Sequence, residues 1–191
     1  TVNSQFDLDF LPHIIKFLEN EGKQYRRNIT ISLLYRQVKL QIDPSDEKLF
    51  YELKNELCND ATLIDDEDRR DGATILVNLC IEKGYKGREE FYRMVLEIDE
   101  YLVARNLYNR VKGGYFDSEM FMNIVTIALR LGRVEWTKEF IDGNFKKLAP
   151  DIMKNIRNST YARLYFKTRD LDKALHYIAE VTYTDLHMRT N

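Results

Sequence analysis

Apolar residues recur along most of this 191-residue chain at three-and-four spacing, the period of a helix with one buried face. The first run is "DLDFLPHIIKFLENEG", in which Phe10, Leu11, Ile14, Ile15 and Leu18 share a side. Pro12 sits in its first turn and Gly22 offers a stop. From about 24 to 42 the middle is β-branched at Ile29, Thr30 and Ile31, which leaves a strand open locally. Over the whole stretch Ile31, Leu34, Tyr35, Val38 and Ile42 keep the helical period, so the spacing predicts a helix. "DPSDEKLFYELKNEL" restarts one, with Asp43 expected as cap, Pro44 at the first helical position and acids in the first turn.

"CNDATLIDDEDRRDG" is polar and marks a candidate hinge near 59–67. Further helices are predicted over about 67–83, ending at Gly84, and over about 87–110, with "RVKGGYFD" as a loop. Two hairpins follow. Helix "SEMFMNIVTIALRL" (118–131) turns at Gly132 into "VEWTKEFIDGNFKKL". Helix "DIMKNIRNSTYARLYFK" (151–167) turns at "TRD" into "LDKALHYIAEV". Aligning the two turns superposes Val125 on Ala162, Leu129 on Phe166, Val134 on Leu171, Thr137 on Ala174, Phe140 on Tyr177 and Ile141 on Ile178, always 37 residues apart. Matched small and large apolar positions at one offset indicate an internal repeat. The earlier hairpins, 24–58 and 67–110, share the layout without a fixed period.

Residues 158–182 fit the tetratricopeptide pattern best. Ala162 and Ala174 are the small residues where two helices approach, Tyr165 is the aromatic beside them, and Ile178 and Val181 complete the packing set. The preceding hairpin fits less well, with Val125 and Thr137 at the small positions, and Leu186 stands where such a repeat often ends in proline. "FMNIVTIALRLGRVEWTKEFI" and "STYARLYFKTRDLDKALHYIAEV" also resemble tandem runs in large, uncharacterised tetratricopeptide-like proteins of Bacteroidetes, most closely over 115–189. The resemblance implies an all-α, right-handed α-solenoid of antiparallel hairpins, about nine helices in one domain over 1–191. It also implies a bacterial origin and a fragment of a longer array. "YTDLHMRTN" reads independently as the first turn of a further helix, leaving an apolar end face.

Composition narrows the class. Three prolines, eight glycines, 31% charged and 12% aromatic residues fit a helical globular chain rather than a disordered one. A net charge of −2 exerts no global pull toward nucleic acid or anionic membrane. Its distribution is uneven. Residues 43–71 carry eleven acids against four bases, and 130–169 carry ten bases against four acids. These segments read as solvated helix faces or as an acidic and a basic end that meet partners, or each other head to tail. Cys58 and Cys80 read as small apolar residues, which favours a reducing, cytoplasmic setting. No stretch reaches the ~18 apolar residues of a membrane span, and the start carries no signal-peptide pattern.

Catalytic chemistry finds little purchase. His13, His176 and His187 lack ligand partners at metal spacing, and "DDEDRRD" misplaces the glycine and final Glu of a calcium loop. "KGGY" is no phosphate loop, and neither Cys has a nearby base. No cofactor and no enzymatic activity are expected. In a tetratricopeptide-like stack the first helix of each hairpin lines the groove, which nominates Asn123, Thr126, Arg130, Ser159, Arg163 and Lys167 as a basic clamp for an acidic peptide. The expected function is therefore a non-catalytic scaffold for protein or peptide binding. The alternatives are RNA binding through 130–169, and an enzyme or regulatory domain on an all-α bundle.

Overall fold

The computed structural model describes residues 11–60, 63–109, 111 and 113–182. Expectations that concern Phe10, Leu186, His187 and the helix start in 183–191 lie outside the described residues. The fold is all-α: nine α-helices and no strand occur among the described residues. They are α1 (Leu11–Asn20), α2 (Ile29–Ile42), α3 (Glu47–Leu57), α4 (Asp66–Tyr85), α5 (Glu90–Ala104), α6 (Ser118–Arg130), α7 (Val134–Asn144), α8 (Pro150–Lys167) and α9 (Leu171–Ala179). The chain forms two compact units, residues 1–94 and 95–191, which divide within α5.

Local hydrogen bonding moves several expected boundaries in the first unit. The helix expected over 24–42 is split. A 3₁₀ turn, Tyr25–Arg27, comes first, and then Asn28 turns extended and accepts from the Ile31 N–H, capping α2. Asp43 does not cap α3. Its carboxylate accepts from the Ser45 N–H and hydroxyl, closing a turn, and Asp46 caps instead through the Leu49 N–H. Gly84 does not end α4. It lies inside the last turn, where an added Cβ would stand 2.6 Å from the Tyr92 ring, and the left-handed residue that stops the helix is Gly87 (φ 94°). Helix α5 ends six residues before the expected 110, because Asn106 is left-handed (φ 59°) and the Leu107 N–H returns to the Leu102 carbonyl.

Within this unit α2 packs on α1, α3 and α4, around Leu33, Leu40, Phe50, Leu53, Leu57 and Leu76. Cys80 is buried and Cys58 half-buried. The candidate hinge is anchored by a residue read only as charge. Arg69 is 2% exposed, and its guanidinium donates to the carbonyls of Leu57, Asn59 and Ile64. Carbonyl acceptors at both terminal nitrogens offset the cost of burying this cation.

In the second unit α6 packs on α7, and α8 packs on α6, α7 and α9. Asp117 caps α6 through the Glu119 and Met120 N–H groups, and Pro150 occupies the first turn of α8. Phe116, Phe121 and Phe140 form a buried aromatic cluster that Tyr108 and Trp136 flank. The two hairpins repeat in backbone detail. Gly132 (φ 74°) and Arg169 (φ 62°), 37 residues apart, are both left-handed. The Arg133 N–H reaches the Ala128 carbonyl as the Asp170 N–H reaches Tyr165, and Gly132 reaches Leu129 as Arg169 reaches Phe166. Both helices thus close with the same Schellman turn. No helix among the described residues is long and apolar enough to cross a membrane.

Candidate functional site

The repeat sets the geometry of a groove in the second unit. Thr126 and Arg130 stand one turn apart on α6, and Arg163 and Lys167 stand one turn apart on α8, each displaced by 37 residues from its counterpart. Because α8 packs beside α6, the two pairs face one channel. Arg169 in the following turn and Leu171 at the start of α9 close one end, and Leu129 and Phe166 supply apolar surface. The volume is about 950 Å³, at the upper end of the ~300–1,000 Å³ typical of ligand clefts.

Four cations and no acid line this groove. Arg130 and Lys167 sit in the last turns of their helices, where the macrodipole favours positive charge. Arg163 is exposed yet held. Its Nη1 donates to Thr126 Oγ1 at 2.9 Å, while that hydroxyl donates its own proton to the Met122 carbonyl at 2.8 Å. The hydroxyl is therefore committed, and its remaining lone pair orients the guanidinium. Among the described residues, Arg163, Lys167 and Arg169 have no carboxylate partner. The apolar surface is unusually open: Phe166 is 70% and Leu171 55% exposed. Such a lining can donate charge-assisted hydrogen bonds to anions and take an apolar side chain between them.

Four of the six nominated groove residues come together here: Thr126, Arg130, Arg163 and Lys167. Asn123 is exposed one turn before Thr126, and Ser159 is half-buried one turn before Arg163; neither lines the groove. Leu129, Phe166, Arg169 and Leu171 were missed as lining residues. For Arg169 a signal existed, since it occupies the repeat position of Gly132, at the turn where one helix hands over to the next. Of the nominated packing residues, Ala162, Ala174 and Val181 are buried, and Tyr165 stacks with Tyr161 and Tyr177 at centroid separations of 5.9 and 5.5 Å. Ile178 differs: it is 39% exposed, although it stands one turn beyond buried Ala174.

Other cations of the 130–169 segment are engaged singly. Arg133 pairs with Glu100 and lies over Trp136, Lys154 pairs with Glu180, Lys147 lies over Tyr108, and Arg157 lies over Phe145 and Tyr161. Of these four, Arg133 and Lys154 have a carboxylate partner. Two perturbed groups stand apart from it. Burial pushes the Asp99 carboxyl up to about 8, and Tyr161, part-buried and donating to Asp142, titrates well above the usual phenol range. Among the described residues no group of three or more His, Cys, Asp or Glu stands close enough to hold a metal ion. Comparison of the chain with protein-family models, curated proteins and solved structures gives no match.

Proposed function

We propose that this chain is a non-catalytic interaction module, a right-handed, tetratricopeptide-like solenoid that binds an acidic peptide segment between α6 and α8. The observation that carries the reading is the groove's lining: four cations, no acid, and apolar surface between them. The matched Schellman turns and the 37-residue spacing support the repeat, since a stack of equivalent hairpins places equivalent side chains side by side. The Arg163–Thr126 hydrogen bond joins two such positions.

Carboxylates of the peptide would meet Arg163 and Lys167, and an aliphatic side chain would cover Phe166 and Leu171. The binding is steered by charge and anchored by apolar contact. Fluorescence anisotropy with a labelled peptide of mixed Glu and Leu tests the reading. Binding should weaken about tenfold in Arg163→Ala/Lys167→Ala, in line with the loss of charge-assisted contacts, and it should weaken as salt rises. Equal binding of a Lys/Leu peptide, or indifference to the double substitution, overturns the proposal. Tight binding of single-stranded RNA with a steep salt slope would move the assignment to nucleic acid.

A further inference from the structure

The occupant of this groove can be sought in the chain itself. Leu63 is 88% exposed, the most exposed large apolar side chain among the described residues. The next residue, Ile64, is 6% exposed. Arg69 donates to the Ile64 carbonyl, so the backbone that follows Leu63 is tied down. Leu63 is thus presented outward beside a buried, hydrogen-bonded residue, and part of the ordering cost of docking it is already met.

Its surroundings are acidic. Asp65, Asp66 and Glu67 are exposed at the start of α4, and Asp65 caps that helix. The two cations of the stretch are turned to other uses: Arg69 binds backbone carbonyls and Arg70 pairs with Asp71. A leucine flanked by carboxylates is the chemical complement of a groove lined by Phe166 and Leu171 together with Arg130, Arg163, Lys167 and Arg169.

We propose that the groove of one copy of this chain receives the acidic loop around Leu63 of a second copy. This rests on the groove reading above and names its occupant. Loop and groove lie in different compact units. Every copy carries one of each, so association either closes as a reciprocal pair or propagates head to tail.

Sedimentation velocity on the full chain, from low micromolar to near-millimolar concentration, tests this with two variants. One disables the loop (Leu63→Ser/Glu67→Lys); the other disables the groove (Arg163→Glu/Lys167→Glu). All four positions are exposed, and thermal melts check that both variants fold. The wild-type mass should rise above the monomer with concentration and fall back in high salt. Each variant alone should stay monomeric. Mixed in equal amounts, they should form a one-to-one pair that grows no further, because only one intact loop and one intact groove remain to meet. A wild type that is monomeric throughout, a self-associating variant, or a mixture that stays monomeric overturns the proposal. If the wild type is monomeric yet binds the Glu/Leu peptide, self-docking alone falls; if it does neither, the groove reading falls with it. Salt-insensitive association abolished by Leu175→Ser would overturn it in favour of the apolar face of α9.

Discussion

The α6–α7 and α8–α9 hairpins share a backbone and differ in what covers them. Val125 and Ala162 are both buried, as are Thr137 and Ala174, so the interior of each hairpin is made the same way. The outward positions diverge. Leu129 is 5% exposed and its counterpart Phe166 is 70%; Ile141 is fully buried and its counterpart Ile178 is 39% exposed. The cause is the neighbour. Helix α8 lies against both α6 and α7 and covers their apolar residues. Sequence dictates the helices and the turn between them, whereas burial at a given repeat position depends on what stacks next.

The sharpest way to break this comparison is to truncate both isoleucines. Ile141→Ala should cost about 2–4 kcal/mol, the range for emptying a packed site, while Ile178→Ala should cost less than about 1 kcal/mol. Urea denaturation read through Trp136, the single tryptophan and a residue of α7, reports on this unit. Equal costs would mean that Ile178 is covered as well as Ile141.

Burial should govern charge by the same rule. Asp99, 3% exposed on α5, keeps its proton to about pH 8 because the ionised form would lose its hydration. The unfolded chain releases that proton near pH 4, so between about 4 and 8 the folded form binds more protons and stability falls as pH rises. The expected loss is about 2 kcal/mol between pH 6 and 8. Asp99→Asn should abolish it, and an unchanged pH profile would contradict the burial argument. Half-buried Asp170, the cap of α9, has the opposite sign. Its hydrogen bond from Lys173 holds its carboxyl below the usual range, so its contribution is present at neutral pH and lost in acid.

The two left-handed turn residues make a smaller and more pointed test. An added Cβ at Gly132 would meet nothing within 4 Å, so Gly132→Ala reads the backbone alone and should cost about 1 kcal/mol. At Arg169 a side chain already bears that strain, and Arg169→Gly should raise stability by about 0.5–1 kcal/mol. It should also weaken the acidic peptide, since Arg169 lines the groove. A stabilised variant with undiminished binding would remove Arg169 from the site.

How far the sequence could be read follows from the same distinction. Helix existence and the α8–α9 turn were legible because period and turn chemistry are local. The α6–α7 hairpin is the poorer match because of Asn144 at the last apolar position and, at the two small positions, Val125 and Thr137; Thr137 packs nonetheless. It is fully buried, and its hydroxyl donates to the Arg133 carbonyl of its own helix, which lets it pack as a small apolar residue. What could not be read was competition between near-equivalent groups: Asp43 against Asp46 for one cap, Gly84 against Gly87 for one helix end. The groove was half legible. Helical spacing gave Thr126, Arg130, Arg163 and Lys167, but Arg169 in the turn and Leu171 at the start of α9 lie off the two helix faces from which the groove was read.

The smallest stability effect belongs to the bond that bridges the hairpins. Arg163 and Thr126 are exposed, and their hydrogen bond competes with water, so Arg163→Ala should change stability by less than about 0.5 kcal/mol. If Thr126 serves to aim the guanidinium, Thr126→Val, which keeps the shape and removes the acceptor, should leave stability nearly unchanged. It should weaken the Glu/Leu peptide by about two- to fourfold, the worth of orienting one donor rather than supplying it. Arg163→Lys retains the charge but not the fork, and should fall between Thr126→Val and Arg163→Ala. Were all three variants to bind alike, the bridge between repeat positions would be a packing detail, and the specificity of the groove would rest on Arg130, Lys167 and Arg169.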